Sequence, residues 1–239
     1  MNKPNHASLF FLIALIFLVS LSDVLPSAYA PVKYLFAFLL ACGLALWATP
    51  LARSAALRYN IVDTPDGRLK DHTQATPYLG GIVVYISFLL TLSCTFGFNE
   101  RVLGLTLAGS VLVIVGLFDD MQAITPKAKF LGQLIAILVL IKSGIRLELI
   151  AIPGWLNAPL TVLWVAGIIN AVNIIDIMDG LATGVGLCAS FVLFIVAALN
   201  GSTMIATLTI ALTGSLLGLL RYNFEPAKIY LGDTGSMFI

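Results

Sequence analysis

The chain has 239 residues, of which 59% are hydrophobic and only 10% are charged, and its net charge at pH 7 is +1. Soluble domains carry roughly 45–50% apolar residues, so this composition excludes an ordinary soluble globular protein. The near-neutral balance and the lack of a basic tract give no indication of a nucleic-acid partner. Apolar runs of about 17–21 residues recur, and a helix of that length spans the ~30 Å hydrocarbon core of a bilayer. The runs are continuous rather than alternating, which predicts an all-α polytopic membrane protein.

The apolar runs predict eight transmembrane helices and the start of a ninth. We expect them at 9–21, 32–50, 79–96, 102–118, 130–142, 159–175, 181–199 and 203–220, with the ninth beginning near Met237. The segment 1–30 also ends like a signal-peptidase site, so cleavage there is an alternative to a first helix. The stretch 143–158 is expected to form a small external hairpin or an interfacial segment. We expect one integral membrane domain over 1–239, truncated at its C-terminus, because the last residues read like a helix entry.

Lysine and arginine predict the orientation of these helices. If the N-terminus and the even-numbered loops share one side, nine of the 13 Lys and Arg residues lie there. The positive-inside tendency makes that side the cytoplasm. The same side holds nine of the 12 acidic residues, in four patches at helix mouths: Asp63/Asp66/Asp71, Asp119/Asp120, Asp176/Asp179 and Glu225/Asp233. Because acids contribute little to topology, their concentration predicts a shared polar site, and a divalent cation is its simplest explanation.

Asp119 and Asp120 end the predicted fourth helix. Neighbouring residues of a helix point about 100° apart, so the two are not expected to ligate one ion. We expect a division of labour in which one carboxylate faces the site and the other orients it or holds a lysine. Lys129, in the same region, offers such a cation. An ordinary acidic pair at a wet helix mouth is the alternative.

Polar side chains recur at every third residue through the end of the predicted sixth helix, at Asn170, Asn173, Asp176 and Asp179. This spacing lays them along one side of the helix. Since they would be costly facing lipid, they are expected to face a cavity or the bundle. Their oxygens and amide donors suit Mg²⁺ and a nucleobase. A polar seam between two helices is the alternative.

The segment 232–236 (Gly-Asp-Thr-Gly-Ser) places an acid between glycines just before a predicted helix. Glycine permits close backbone approach, and free N–H groups at a helix start suit phosphate oxygens. The segment therefore predicts a pyrophosphate cradle with a metal ion on Asp233, and a plain turn is the alternative. Arg68 and Lys70, in the loop of the first acidic patch, add cations of the kind that bind phosphates.

Together the four blocks resemble the polyprenyl-phosphate N-acetylhexosamine-1-phosphate transferase superfamily. It includes the phospho-MurNAc-pentapeptide translocase and the undecaprenyl-phosphate GlcNAc-1-phosphate transferases. The matching stretches, in family order, are Asp63-x-Pro65…Arg68…Pro77-x-x-Gly80-Gly81, Asp119-Asp120…Lys129, Asn170-x-x-Asn173-x-x-Asp176-x-x-Asp179-Gly180-Leu181-Ala182 and Gly232-Asp233-x-Gly235-Ser236. In the third block Ile177 stands where the family usually has glycine.

The resemblance implies a reaction and its residues. A lipid phosphate would attack the β-phosphate of a UDP-amino sugar, giving a polyprenyl-diphospho-sugar and UMP, with Mg²⁺ or alternatively Mn²⁺. Asp233 would ligate the metal with Asn173 as a second contact. Asp119 or Asp120 would deprotonate or position the lipid phosphate, and Lys129 would hold the diphosphate. The implied substrate-binding residues are Arg68, Lys70, Asn170, Asp176, Asp179, Gly235 and Ser236.

The resemblance also implies partners and a location. The partners would be polyprenyl phosphate, the membrane and a UDP-HexNAc, with UDP-GlcNAc favoured by Arg68 in the first loop; a homodimer stays open. The enzyme would lie in the bacterial cytoplasmic membrane with a cytoplasmic active site, at the first membrane step of cell-envelope polysaccharide synthesis. An ion or solute transporter is the alternative from another class, but it would place acids near the bilayer midplane. An intramembrane aspartyl protease and an inactive fragment are further alternatives.

Overall fold

The computed structural model describes residues 30–63, 76–95, 99–150 and 152–239. The elements in chain order are α1 (Ala30–Arg58), β1 (Val62–Asp63), β2 (Thr76–Pro77), α2 (Gly80–Thr95), α3 (Glu100–Met121), α4 (Pro126–Lys142), α5 (Asn157–Ile175), α6 (Leu181–Leu199), α7 (Thr203–Asn223) and α8 (Gly232–Ser236). A 3₁₀ turn, Gly154–Leu156, leads into α5. The two short strands pair antiparallel, with Val62 opposite Pro77 and Asp63 opposite Thr76.

The mostly helical fold predicted from the apolar runs is confirmed. The helices α2 to α7 begin and end within about four residues of the expected spans, but α1 continues to Arg58 instead of ending at residue 50. In the described part of the chain, five helices are long and apolar enough to cross a membrane: α1, α3, α5 with its 3₁₀ turn, α6 and α7. The helix α2 is apolar but shorter, with 16 residues. The predicted helix at 9–21 and the alternative cleavage site lie outside the described residues.

The predicted ninth helix is misplaced. A helix was expected to begin near Met237, but α8 spans Gly232–Ser236, and Met237 is the residue that ends it. The Gly-Asp-Thr-Gly-Ser segment is therefore itself helical rather than a turn before a helix. The physical reason is that Asp233, Gly235 and Ser236 lie against neighbouring helices that fix the backbone of this segment.

The stretch 143–158 has no strand in its described residues, so the predicted hairpin is not formed there. Hydrogen bonds to side chains near the start of α5 hold its backbone instead. The Leu147 N–H donates to Thr161 Oγ1 at 3.0 Å and the Leu149 N–H donates to Asn157 Oδ1 at 3.5 Å. Trp155 in the 3₁₀ turn is exposed.

Local signals in the sequence explain where the helices beside the site begin. The helix α4 begins at Pro126, whose missing N–H is no loss at a first helical position. The Thr125 side chain accepts a hydrogen bond from the Ala128 N–H and caps this end. Gly180 precedes α6 with φ +71°, a left-handed conformation that glycine adopts without steric cost. Because α4 begins at Pro126, Lys129 lies in its first turn, close to the end of α3.

The helix α7 contacts α1, α2 and α6. Two of its glycines allow α1 to approach closely, since a Cβ at Gly214 would lie 2.5 Å from the Phe38 carbonyl oxygen and one at Gly218 would lie 2.7 Å from that of Cys42. Small residues at a helix crossing are the usual solution in membrane bundles. The short helix α8 is enclosed by α2, α3 and α5. The core beneath it is apolar and includes Val84, Leu216, Leu219, Ile229 and Leu231.

Candidate active site

Carboxylates from two of the acidic patches, Asp119 and Asp233, meet at one end of the bundle around the side chain of Lys129. Its Nζ lies 2.9 Å from Asp119 Oδ2 and 2.9 Å from Asp233 Oδ2. It also donates to Asn173 Oδ1 at 3.1 Å. These contacts join the end of α3, the start of α4, the last turns of α5 and the start of α8. Three of the four sequence blocks thus converge on a single ammonium group.

Asp119 and Asp120 point in different directions, as their spacing on a helix predicts. Asp119 faces Lys129, and its Oδ1 also accepts the Ile124 N–H at 2.9 Å. Asp120 faces α8, where Oδ1 accepts the Asp233 N–H at 2.8 Å and Oδ2 accepts the Thr234 N–H at 3.0 Å. The two carboxylates thus contact different elements, and Asp119, the one that faces the site, is also the one that holds the lysine.

Asn173 is the link between α5 and α8. Its Nδ2 donates to Asp233 Oδ1 and, at 2.8 Å, to Ser236 Oγ. The amide oxygen is thereby turned toward Lys129. Ser236 is fully buried, and Gly235 is packed against α2, where an added Cβ would lie 2.8 Å from Gly81 Cα. The structure therefore places these last two predicted substrate contacts inside the packing around α8.

Asn170 lies one turn deeper in the bundle and is paired with Gln133 of α4. Its Nδ2 donates to Gln133 Oε1 at 2.9 Å and to the Ala166 carbonyl oxygen at 2.8 Å. Gln133 is 1% exposed and donates back to Asn170 Oδ1 at 3.4 Å. Amide pairs of this kind hold membrane helices together. For Asn170 the geometry corresponds to the polar-seam alternative.

Asp176 and Asp179 lie in the turn between α5 and α6. The pKa of Asp176 is raised to about 8, mainly by burial and also by the negative charges of Asp233, Asp120 and Asp179, against a backbone hydrogen bond from Gly232 that lowers it. Asp176 is therefore close to the Asp233 carboxylate. Ile177 is exposed, and it is not among the described non-glycine residues with positive φ, so the turn accommodates it in place of glycine.

The loop 224–231, between α7 and α8, is fixed by side chains from two other elements. Asp179 Oδ2 accepts the Ala227 N–H at 2.8 Å. The Arg53 Nε of α1 donates to the Lys228 carbonyl oxygen at 3.0 Å. Because this loop leads directly into α8, these bonds help to set where Asp233 lies.

The first loop reaches the site through its two described ends. Arg68 and Lys70, both predicted to bind substrate, lie outside the described residues. The β2 strand beyond them accepts a hydrogen bond at the Pro77 carbonyl oxygen from the Tyr230 N–H, at 2.9 Å. The rings of Tyr78 and Tyr230 lie 5.9 Å apart. Burial and the neighbouring Asp63 carboxylate raise the pKa of Tyr78.

Negative charge exceeds positive charge around Lys129. Burial raises the pKa of Asp233, and its hydrogen bond with Asp119 raises it further, while Lys129 and Asn173 oppose the shift. One ammonium thus faces two carboxylates in direct contact, with Asp176 nearby. The carboxylates around Lys129 therefore outnumber the one ammonium that they contact.

The donor set fits Mg²⁺ in a particular way. The described residues contain no group of three His, Cys, Asp or Glu side chains arranged to hold a metal. Mg²⁺ sites on phosphate substrates, however, commonly use only one or two carboxylates and complete the shell with water and phosphate oxygens. Asp233, with Asn173 beside it, offers such a partial shell. The residues present are therefore compatible with a magnesium ion bound jointly with a substrate.

Several residues of this end of the bundle were not singled out from the sequence. Thr234 donates its hydroxyl to Asp120 Oδ2 at 2.5 Å. Thr183 donates to Asn223 Oδ1 at 2.6 Å, and Asn223 Nδ2 donates to the Ile229 carbonyl oxygen at 3.0 Å. Asn223 is a buried amide at the end of α7, and an amide at the end of an apolar run was the signal that could have indicated it.

Comparison with known proteins places these contacts in a family. The sequence profile described as Glycosyl transferase family 4 matches residues 102–239, which is more than half of the chain. The match contains Asp119, Lys129, Asn173 and Asp233, the four residues that meet at the centre of the site.

Three relatives illustrate the similarity. A probable undecaprenyl-phosphate N-acetylglucosaminyl 1-phosphate transferase of Bacillus subtilis (strain 168) is 33% identical over 217 residues, covering 87% of this chain and 60% of the relative. A decaprenyl-phosphate N-acetylglucosaminephosphotransferase of Mycolicibacterium smegmatis is 34% identical over 221 residues, covering 81% of this chain and 54% of the relative. A phospho-N-acetylmuramoyl-pentapeptide-transferase of Heliobacterium modesticaldum is 32% identical over 232 residues, covering 86% and 71%.

The chain spans between half and two thirds of the length of the first two relatives. The family profile and these names confirm the resemblance carried by the four motifs. The chain belongs to glycosyl transferase family 4.

Proposed function

We propose that this protein transfers a HexNAc-1-phosphate, and in the favoured case GlcNAc-1-phosphate, from a UDP-sugar to polyprenyl phosphate and releases UMP. The observation that carries the proposal is the Lys129 ammonium held between Asp119, Asp233 and Asn173 at one end of an apolar helical bundle. The names of two relatives, a polyprenyl-phosphate GlcNAc-1-phosphate transferase in each case, support the choice of lipid and sugar.

Lys129 has the chemistry to bind the diphosphate of the donor. A phosphate monoester has a second pKa of about 6, so polyprenyl phosphate is largely dianionic at pH 7 and can attack without a strong base. In the proposed step, an oxygen of the lipid phosphate bonds to the β-phosphorus, and the bond from that phosphorus to the bridging oxygen of UMP breaks. Such transfers depend on in-line positioning and charge neutralisation more than on covalent catalysis. Lys129 contributes positive charge where the departing UMP gains negative charge.

We assign Mg²⁺, with Mn²⁺ as the alternative, to Asp233 with Asn173 as a second contact. The ion would neutralise charge on the diphosphate and orient it. Asp119 faces the same space as Lys129 and lies where a lipid phosphate could meet it. Asp176 is the candidate nucleotide contact, since its carboxyl group belongs to the turn beside Asp233. Arg68 and Lys70 remain predicted partners of the phosphates.

The proposed location is the bacterial cytoplasmic membrane, with the site on the cytoplasmic side. The acidic end of the bundle also carries the cations Arg53, Arg58, Lys129, Arg221 and Lys228, as the positive-inside tendency requires of a cytoplasmic face. UDP-sugars are made in the cytoplasm, so this orientation gives the donor direct access to the site.

An assay in membranes containing the protein tests the proposal. UDP-GlcNAc and UDP-MurNAc-pentapeptide are each supplied with Mg²⁺, with and without undecaprenyl phosphate, and released UMP is measured. We expect release from UDP-GlcNAc that requires both Mg²⁺ and the lipid phosphate. Release that is the same without the lipid phosphate would contradict a transferase, and release from the pentapeptide donor alone would contradict the proposed sugar.

A further inference from the structure

The two neighbouring carboxylates at the end of α3 differ in what they face. Asp119 Oδ1 accepts the Ile124 N–H at 2.9 Å, and its Oδ2 lies 2.9 Å from Lys129 Nζ, in the space around which the site is built. Both oxygens of Asp120 are already engaged with α8. Oδ1 accepts the Asp233 N–H at 2.8 Å, and Oδ2 accepts the Thr234 N–H at 3.0 Å and the Thr234 hydroxyl at 2.5 Å.

These three bonds form part of a longer contact between α3 and α8. One turn before Asp120, an added Cβ at Gly116 would lie 2.5 Å from the Asp233 carbonyl oxygen and 2.5 Å from the Thr234 nitrogen. The backbones of α3 and α8 are therefore in direct contact at that point. The close approach at Gly116 and the carboxylate of Asp120 act on the same two residues, Asp233 and Thr234.

These contacts with α3 restrict the position of Asp233. Its backbone N–H is held by Asp120, and its side chain reaches both Lys129 and Asn173 from that fixed position. Free N–H groups at a helix start are satisfied here by a carboxylate of the protein, as at a capped helix. Both oxygens of the Asp120 carboxylate accept hydrogen bonds from residues of α8.

We propose that Asp120 is a positioning residue: it fixes the first turn of α8 and so sets where the Asp233 carboxylate meets the metal and the diphosphate, while Asp119 alone of the pair faces the reacting groups. This inference rests on the proposed transferase function. It gives Asp119 and Asp120 different roles, which the sequence alone left open, because the two carboxylates contact different elements of the site.

The test uses Thr234, which shares the Asp120 contact but has no group able to act on a phosphate proton as a carboxylate would. Thr234→Val removes the hydroxyl bond to Asp120 at nearly constant volume, and Thr234→Ser retains it. Thr207→Val is the matched control, because Thr207 is equally buried and, among the described residues, its hydroxyl donates within its own helix to the Thr203 carbonyl oxygen at 2.9 Å.

Binding of Mn²⁺ to the purified protein without substrate, followed by electron paramagnetic resonance, is the first readout. We expect Asp120→Asn and Thr234→Val each to weaken Mn²⁺ binding by about 3- to 10-fold, the usual net effect of losing one hydrogen bond. Thr234→Ser and Thr207→Val should bind like the wild type. Unchanged Mn²⁺ binding in both Asp120→Asn and Thr234→Val would overturn the proposal.

The pH profile of UMP release is the second readout. A positioning role predicts that Asp120→Asn and Thr234→Val need more Mg²⁺ for half-maximal activity but keep the ionisations of the wild-type profile. Loss of an ionisation in Asp120→Asn that Thr234→Val retains would identify Asp120 as a proton-transfer group and overturn the proposal. A wild type that releases no UMP with lipid phosphate fails the transferase function itself, and the Mn²⁺ measurement still decides the positioning role.

Discussion

At the scale of single residues, the site is organised by one lysine of α4, which contacts side chains of three other helices. The ammonium of Lys129 is within 2.9 Å of Asp119 and of Asp233, and all three side chains are at most 30% exposed. A partly buried charge pair loses most when one partner is removed, because the remaining charge is left without compensation. Lys129 is therefore expected to matter both for binding the diphosphate and for holding two carboxylates side by side.

Replacing Lys129 by methionine should lower kcat for UMP release by about 100-fold or more, the usual effect of removing a preorganised donor at a transferring group. Steady-state kinetics with saturating UDP-GlcNAc and lipid phosphate measure this. Lys127→Met is the matched control, since Lys127 is two residues away and exposed. Comparable kcat values for the two variants would show that Lys129 does not act on the diphosphate.

The raised pKa of Asp176 predicts how stability of the metal-free protein depends on pH. The ordinary pKa of its carboxyl group is 3.8, and burial together with Asp233 raises the pKa to about 8 in the folded state. Between those values the folded protein binds a proton that the unfolded chain has released, so stability falls as pH rises through about 4 to 8. Thermal midpoints in detergent with chelator, measured across this range, should decline less steeply for Asp176→Asn. Identical slopes in the variant and the wild type would refute the shift.

The orientations and partners of single side chains were only partly predictable from the sequence. Adjacent positions on a helix predicted that Asp119 and Asp120 would separate, and they do. Which of them turns toward α8 depends on the rotation of α3 about its axis, which apolar spacing alone does not fix. Asn170 illustrates the same limit, because its partner Gln133 lies on another helix, 37 positions away in the chain.

At the scale of elements, α8 is the part of the fold that the site depends on most. It has five residues, and it is enclosed by α2, α3 and α5. Seven longer helices were predictable from apolar runs, and five of them are long and apolar enough to cross a bilayer. A helix of five residues with two glycines has no such periodic signal, and only its tertiary contacts make it helical.

Gly116→Ala tests the tight contact between α3 and α8. The added Cβ would lie 2.5 Å from the Asp233 carbonyl oxygen, so α8 must shift or the variant must lose stability by about 1–3 kcal/mol, the usual cost of overpacking. A lower thermal midpoint and weaker Mn²⁺ binding are expected together. Gly184→Ala in α6 is the control, because no atom of the described residues lies within 4 Å of a Cβ added there. Equal midpoints for both variants would mean that α8 is not confined as described.

At the scale of the whole molecule, the placement of charge distinguishes an enzyme from a transporter. The described acids of the site lie at the ends of α3 and α5 and at the start of α8, all at one end of the bundle. A transporter would place such groups near the bilayer midplane. The convergence of the patches was predictable from the alternation of loops, since successive helices return the chain to the same side. The position of Asp233 between Lys129 and Asn173, on which the proposed chemistry depends, was not predictable from the sequence.

In the proposed function, the cluster around Asp233 transfers a sugar phosphate to a lipid phosphate. The most direct test is UMP release from UDP-GlcNAc by wild type and Asp233→Asn, at saturating Mg²⁺ and undecaprenyl phosphate, with thermal midpoints of both to confirm folding. We predict lipid-dependent release by the wild type and release at background level by a folded Asp233→Asn. Near-normal release by Asp233→Asn would contradict the proposed role of the Asp233 cluster in the transfer.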